Sequence, residues 1–260
     1  MSARWFFVAA RTSARRALAD RSTLAVSVGF YIVVVAVISA LWRAAADANG
    51  GEVAGYSAVA LTWYLAASEA STVTLPMRMI EQIGDDIASG AVAVELLRPV
   101  PMLGMRIAIE IGRATPRLLV LMVSGIALAS VVAGAPPDGA ALVLAAPSLA
   151  LAVSCNVVAQ HAFAAAAFWV RDARSTWFLY QKLVFVVGGM LLPLEVLPGW
   201  LRGVSWSLPF AAMSYVPARL ASGHVEPGLI GVQLAWLVAL TLVTSAMFAA
   251  GQRRLQVVGG

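Results

Sequence analysis

Apolar residues gather into six long stretches, at residues 23–42, 55–79, 116–134, 139–169, 178–193 and 228–250, and the segments between them hold most of the charge. Several stretches reach the roughly 20 residues that an α-helix needs to cross about 30 Å of hydrocarbon. The pattern predicts an all-α, polytopic membrane protein with six transmembrane helices. The first stretch ends at Leu41-Trp42-Arg43, an aromatic and basic boundary. Pro116 stands at the start of the third, where a helix tolerates proline. The fourth is long enough to be tilted, or broken near Pro147. Ahead of them, residues 3–20 place Phe6, Ala10, Ala14 and Ala17 on one helical face and Arg4, Arg11 and Arg15 on another. This is the pattern of a helix lying on the membrane, the plainer alternative being a charge cluster that keeps the N-terminus inside. The expected organisation is an interfacial helix over 1–22 and a six-span domain over 23–260. The N-terminal segment lacks a short apolar core with an A-x-A-like site, so no cleavable leader is expected.

Two interruptions stand out. Residues 80–104 form the longest polar one, IEQIGDDIASGAVAVELLRPVPMLG. Ile80, Ile83, Ile87, Ala91 and Val94 recur at three- and four-residue steps, with Glu81, Gln82, Asp85, Asp86 and Ser89 on other faces. That is a short amphipathic helix which Gly90 bends or ends, followed by a turn containing Glu95, Leu97 and Arg98 and closed by Pro99 and Pro101. Exposed at the end of two spans, it suits a groove on a partner protein; the alternative, a helix resting on lipid, fits poorly with an acidic polar side. Arg106, Glu110, Arg113 and Arg117 then form one charged stripe on a helix leading back to the membrane, expected to be a salt-bridged solvent face. Residues 194–227 are too apolar for a solvated loop, yet Pro198, Pro209 and Pro217 prevent one long helix. Two short helices dipping into the outer leaflet and returning are expected there, with Trp200, Trp206 and Tyr215 at the interface.

Composition strengthens the membrane reading: 61% of the 260 residues are hydrophobic and 12% are charged, against about 25% charged in soluble domains. The net charge of +5 does not call for nucleic acid, because its distribution is lopsided. With the N-terminus inside, the cytoplasmic side takes Arg4, Arg11, Arg15, Arg16, Arg21, Arg78, Arg98, Arg106, Arg113, Arg117, Arg171, Arg174, Lys182, Arg253 and Arg254, while Arg43, Arg202 and Arg219 fall outside. That asymmetry follows the positive-inside rule and needs an even number of spans, so both termini are expected in the cytoplasm. Cys155 is the only cysteine, which excludes an internal disulfide. No internal repeat of the kind common in secondary transporters is visible.

Catalytic chemistry finds little support. No G-x-x-x-x-G-K-[ST], H-E-x-x-H or G-x-S-x-G occurs, and the two histidines, His161 and His224, fall on opposite sides of the predicted topology. No metal site, no cofactor on this chain and no enzymatic activity are expected; if ATP drives the protein, another subunit must bind it. Glu69 lies midway along the second span, where a carboxylate costs about 3 kcal/mol. It either contacts a cationic or polar substrate in a cavity, or is an acid satisfied by Ser68, Ser71 and Thr72 that holds helices together. Ser154, Asn156, Gln160 and His161 make a polar patch on the fourth span, read as interhelical hydrogen bonding or as substrate contact. Glu69, Asn156, Gln160 and His161 are the candidate substrate-path residues.

Three stretches carry a family resemblance. IASGAVAVELLRPVP fits the pattern I-x-x-G-x-(hydrophobic)-x-x-x-L-L-x-P-V, GGMLLPLEVLPGWLR at 188–202 fits an outer re-entrant segment, and LPFAAMSYVPARLASG at 208–223 fits P-F-x-x-x-x-Y-x-P. In this order and spacing the chain resembles the permease subunits of bacterial ABC exporters with the type-2 membrane domain, in particular the six-span subfamily of about 260 residues. The resemblance implies an N-terminal elbow helix and a first inner loop that couples to an ATP-binding cassette dimer through Glu81, Ile83, Asp85, Asp86, Ile87, Gly90, Glu95, Leu97, Arg98 and Pro99. It also implies an outer gate containing Pro193, Glu195, Pro198, Pro209, Phe210, Tyr215 and Pro217. ATP and Mg would be held by the partner ATPase, and a second, distinct permease would complete the complex in the bacterial inner membrane. The expected activity is export of an amphiphilic or lipid-soluble compound; a stand-alone secondary transporter or channel is the alternative.

Overall fold

A computed structural model describes residues 4–76, 78–97, 99–170 and 173–258. Within them the chain runs α1 (Arg4–Ala19), α2 (Arg21–Ala48), a hairpin of β1 (Glu52–Val53) and β2 (Tyr56–Ser57), α3 (Ala58–Val73), α4 (Met79–Ala88), α5 (Val92–Leu96), α6 (Met102–Ala133) and α7 (Gly139–Ala165). It continues through α8 (Ala173–Lys182), α9 (Gly199–Trp206), α10 (Phe210–Met213), α11 (Tyr215–Ala221) and α12 (Gly228–Val258). The fold is a helical bundle. Among the described residues, four helices are long and apolar enough to cross a membrane: Arg21–Ala48, Met102–Ala133, Gly139–Phe168 (α7 with its terminal 3-10 turn) and Gly228–Arg254. Their outward faces carry apolar rows such as Val26, Val33 and Val37 on α2 and Leu234, Val238 and Leu242 on α12, all exposed, as lipid contact requires.

The stretches 55–79 and 178–193 resolve as shorter elements. The 16 residues of α3 extend about 24 Å, and every residue from Ala60 to Ser71 is buried by the rest of the chain. The helix α8 passes into one π-helical turn, Leu183–Val187, and then into a bend at Gly189, whose φ is +67°. Two apolar cores result. One surrounds α3 with Tyr31, Leu121, Leu149, Tyr215 and Leu220; the other joins α4 to the end of α7, α8 and α10 through Ile80, Ile83, Phe168, Tyr180 and Phe210.

Three sequence expectations change. Residues 105–117 and the third apolar stretch form one unbroken helix, α6, with Pro116 in its interior. An interrupted helix at that depth would leave backbone groups unpaired in lipid, and Ala108, Gly112, Ala114, Leu118, Leu121 and Gly125 keep one buried seam running past the proline. Pro147 likewise lies within the continuous α7. The segment 194–227 holds three α-helices and a 3-10 turn, Leu194–Val196, where two helices were expected. Pro217 accounts for the extra break: its ring opposes the carbonyl four residues earlier, at Met213, and the chain turns at Ser214 between α10 and α11. The link after α2 also holds the small hairpin, turned by Ala54 and Gly55 at φ 52° and 83°, the conformation of a type I′ turn.

The amphipathic α1 packs along the first half of α6, with Arg4, Arg11 and Arg15 exposed and Ser13 buried. The approach depends on two glycines. A Cβ at Gly104 would come within 2.8 Å of the Trp5 ring, and one at Gly112 within 2.2 Å of the Ala10 carbonyl oxygen. The second contact is with backbone, which cannot step aside. Gly112→Ala is therefore expected to destabilise α1 docking by about 1–3 kcal/mol, read as faster tryptic cleavage after Arg11 and Arg15 than in the wild type. Unchanged cleavage would show that α1 is not seated against α6.

Candidate functional site

A cleft of about 600 Å³ opens between α2, α3, α7 and α8. Its walls are mainly apolar and aromatic, with Phe30, Val34, Trp177, Tyr180 and Phe185 among the lining residues, and Glu69, Asn156, Gln160 and Arg117 supply polar groups. Phe30 is 54% exposed, so the cleft communicates with the outside of the chain. This size and lining suit a small apolar molecule with a few polar groups.

Three of the four candidate substrate-path residues meet here. Glu69 projects from the enclosed α3, 1% exposed, and its Oε1 has no hydrogen-bond partner. The neighbouring hydroxyls do not satisfy it. Ser68 donates to the Leu65 and Met190 carbonyls at 3.1 and 2.7 Å, Ser71 to Ser68 O at 2.7 Å and Thr72 to Ser68 O at 3.1 Å. Serine and threonine within a helix turn back to carbonyls three or four residues earlier, so of the two readings of Glu69 the one in which these hydroxyls satisfy the acid is not what the structure shows. Asn156 and Gln160 lie one turn apart on α7, with Gln160 Nε2 donating to Asn156 Oδ1 at 2.9 Å; Tyr180 from α8 donates to the same oxygen at 2.5 Å. Tyr180 was not anticipated, because no periodicity in its own segment links it to α7.

The other polar groups of the α7 patch point elsewhere. Ser154 is bonded to Ala150 O. His161 is fully buried, and its Nδ1 lies 2.8 Å from Val157 O. A carbonyl only accepts, so Nδ1 carries the proton and Nε2 is left without a partner. His161 does not line the cleft.

At the α4 end of the bundle, Arg106 ties the polar interruption to α6. Its Nε and Nη2 donate to the two Glu95 oxygens at 2.8 Å each, and Nη2 also donates to Asp86 at 2.8 Å. Arg106 is 12% exposed, Glu95 30% and Asp86 48%, so the bidentate pair with Glu95 is the better shielded. This corrects the reading of Arg106 as part of a solvent face. Glu110 is buried too and pairs with Arg113 at 2.7 Å. Gly90, at φ +76°, ends the loop helix.

The loop presents a different face from the one its periodicity suggested. Ile80, Ile83 and Ile87 are buried in their own chain's second core, so the isoleucine stripe cannot enter a partner's groove. Asp86 is committed to Arg106, and Glu81 pairs with Arg78 at 2.7 Å. Gln82, Asp85, Ser89, Val94, Leu97 and Pro99 face outward, Leu97 being 86% exposed. Arg98 lies outside the described residues.

At the opposite end, Arg219 gathers the residues after α8. It bonds to Glu195, to Glu226 Oε1 at 2.7 and 3.0 Å and to the Tyr56 hydroxyl at 2.9 Å. Tyr215 donates to Glu195 Oε1 at 2.6 Å. The His224 ring stacks obliquely on Tyr56, centroids 5.0 Å apart, and its pKa is lowered by burial and by Arg219. Of the expected gate residues, Glu195 and Tyr215 join this hub. Phe210 instead packs against Phe163 and Tyr180 in the other core, Pro193 and Pro217 are buried, Pro209 is half-buried and Pro198 is exposed. Arg219, Tyr56, Glu226 and His224 were missed; only the four-residue spacing from Tyr215 to Arg219, which puts both on one helical face, hinted at the cluster.

A family model described as ABC-2 family transporter protein matches residues 32–259. The chain belongs to that family. No curated protein matches it. The ABC-2 match covers the later part of α2, the other long helices, the Arg106 loop, the Arg219 hub and the cleft walls from Val34 onward, and the membership makes the chain a multi-pass membrane protein and an ABC-type permease.

Because one guanidinium joins α4, α5 and α6, its loss should loosen the whole loop. Arg106→Gln is expected to destabilise residues 79–97 locally by about 1–2 kcal/mol, discounted for the exposure of Asp86. Amide exchange of α4 should quicken by about tenfold while that of α7 stays constant. Equal exchange in both proteins would remove the loop's attachment to Arg106.

Proposed function

We propose that the chain is the membrane-spanning permease subunit of an ATP-driven exporter that moves an amphiphilic or lipid-soluble compound. ATP, with Mg, is hydrolysed by a separate ATP-binding cassette dimer, and a second, distinct permease completes the complex. In this reading α3 and α8 with its π turn complete six crossings, α1 is the elbow helix, both termini are cytoplasmic and the protein sits in the bacterial inner membrane. Residues 80–104 then face the ATPase, and the segment 194–227 forms the outer gate.

The observation that carries the proposal is the Arg106 attachment. A loop held by Glu95 and Asp86 to the first turns of a 32-residue helix transmits displacement to that helix rather than absorbing it. ATP-driven closure of the ATPase dimer shifts the permease because the two permease states then meet the ATPase differently. The exposed contact groups are Asp85, Val94 and Leu97, which offer one charge and an apolar patch. The family membership does not favour a stand-alone secondary transporter or channel.

The test uses the outward residues, since altering buried Ile83 or Ile87 would unfold the loop. Val94→Asp combined with Leu97→Asp, in the permease coexpressed with its ATPase, is expected to weaken ATPase copurification and stimulated ATP turnover by at least about tenfold. The α4 exchange rates should be unaffected. Full copurification and turnover would overturn the assignment of this loop, and ATP-dependent uptake of a lipophilic dye into inverted vesicles reads transport directly.

A further inference from the structure

Resting on the permease reading, we infer that the cleft between α2, α3, α7 and α8 selects an amphiphilic organic cation, whose charge is met by Glu69 and whose body lies against the aromatic wall. Glu69 lines the cleft, is 1% exposed and has Oε1 unpartnered. The surrounding hydroxyls are all turned to carbonyls, as described above, and no basic side chain among the described residues forms an ion pair with it. An ionised carboxyl enclosed in this way is costly unless a cation meets it. A ligand that brings the cation removes that cost, whereas a neutral or anionic ligand leaves it or raises it.

The walls agree with a cation. Phe30, Trp177, Tyr180 and Phe185 come from α2, α8 and the π turn and line the same space. Aromatic faces attract a positive charge and also cover an apolar body, and the interaction strengthens out of water. The Asn156 side chain, held through its oxygen by Gln160 and Tyr180, keeps its amide N–H groups available to a polar substituent. Arg117 of α6 also lines the cleft, and it forms no ion pair with Glu69. Arg117 is half-buried whereas Glu69 is 1% exposed, so the guanidinium lies nearer the surface and the carboxyl deeper.

Binding of tetraphenylphosphonium, tetraphenylborate and triphenylphosphine oxide to the purified complex tests this. These probes share an aromatic body and differ in charge. The wild type should bind the phosphonium at least about tenfold more tightly than the borate, and Glu69→Gln should weaken the phosphonium by about tenfold while leaving the phosphine oxide unchanged. No charge preference in the wild type, or equal phosphonium affinity in the variant, overturns the inference. If Glu69→Gln does not assemble, Phe30→Leu at the half-exposed rim decides. Its affinity loss should be about threefold greater for the phosphonium than for the phosphine oxide, and equal losses overturn the cation assignment. Stimulation of ATP turnover by phosphonium and phosphine oxide alike would sink the selectivity while leaving the permease reading intact. A chain that binds no ATPase would sink the permease reading, and the probe affinities would still decide what the cleft prefers.

Discussion

The structure depends on the complete enclosure of α3. Every residue from Ala60 to Ser71 is buried, so a polar group there is costly unless it finds a partner within the chain. Thr62 and Ser71 turn to carbonyls of their own helix, and other bonds cross element boundaries. The Ser68 hydroxyl takes the Met190 carbonyl, Tyr64 takes those of Gly189 and Leu192, and Tyr31 of α2 takes that of Ala66. The bonds from Ser68 and Tyr64 satisfy carbonyls of the irregular backbone after the π turn. They also leave Glu69, the one carboxyl of α3, facing the cleft rather than a neighbour.

Around that centre, the two ends of the bundle are each drawn together by one arginine. Arg106 collects Asp86 and Glu95 into a single body with α6, while Arg219 collects Glu195, Glu226 and Tyr56. The bidentate geometry of the guanidinium suits this joining of separate segments, because several donors are fixed in one plane. The cleft lies between α2 and α8, and α8 reaches the second end through its π turn. A displacement of α6 and a rearrangement after Gly189 therefore both bear on its walls.

The enclosure also explains why the polar loop was half legible. The three- and four-residue spacing of Ile80, Ile83 and Ile87 announces a helix with one apolar face, and the helix is present. Spacing does not say what covers that face. Here Phe168 and Tyr180 of the same chain share the core with it, so the outward surface falls to Asp85, Val94 and Leu97. Pro116 was misread for a related reason: local propensity places proline at a helix start, but the buried seam from Ala108 to Gly125 overrides it.

From the sequence alone came the helical membrane character, the amphipathic first helix, the position of the loop and the family resemblance, because these rest on hydropathy, periodicity and motif order, which are local properties. Glu69 was visible as an anomaly for the same reason, a carboxyl within an apolar run. Only the tertiary structure decided that its neighbouring hydroxyls are engaged elsewhere, that Tyr180 joins Asn156, that His161 is excluded from the cleft and that Arg106 and Arg219 are hubs. The Tyr180, Arg106 and Arg219 contacts join separate segments and leave no periodic trace, and the turning of Ser71, Thr72 and His161 to carbonyls of their own helices is a choice of side-chain partner that spacing alone does not reveal.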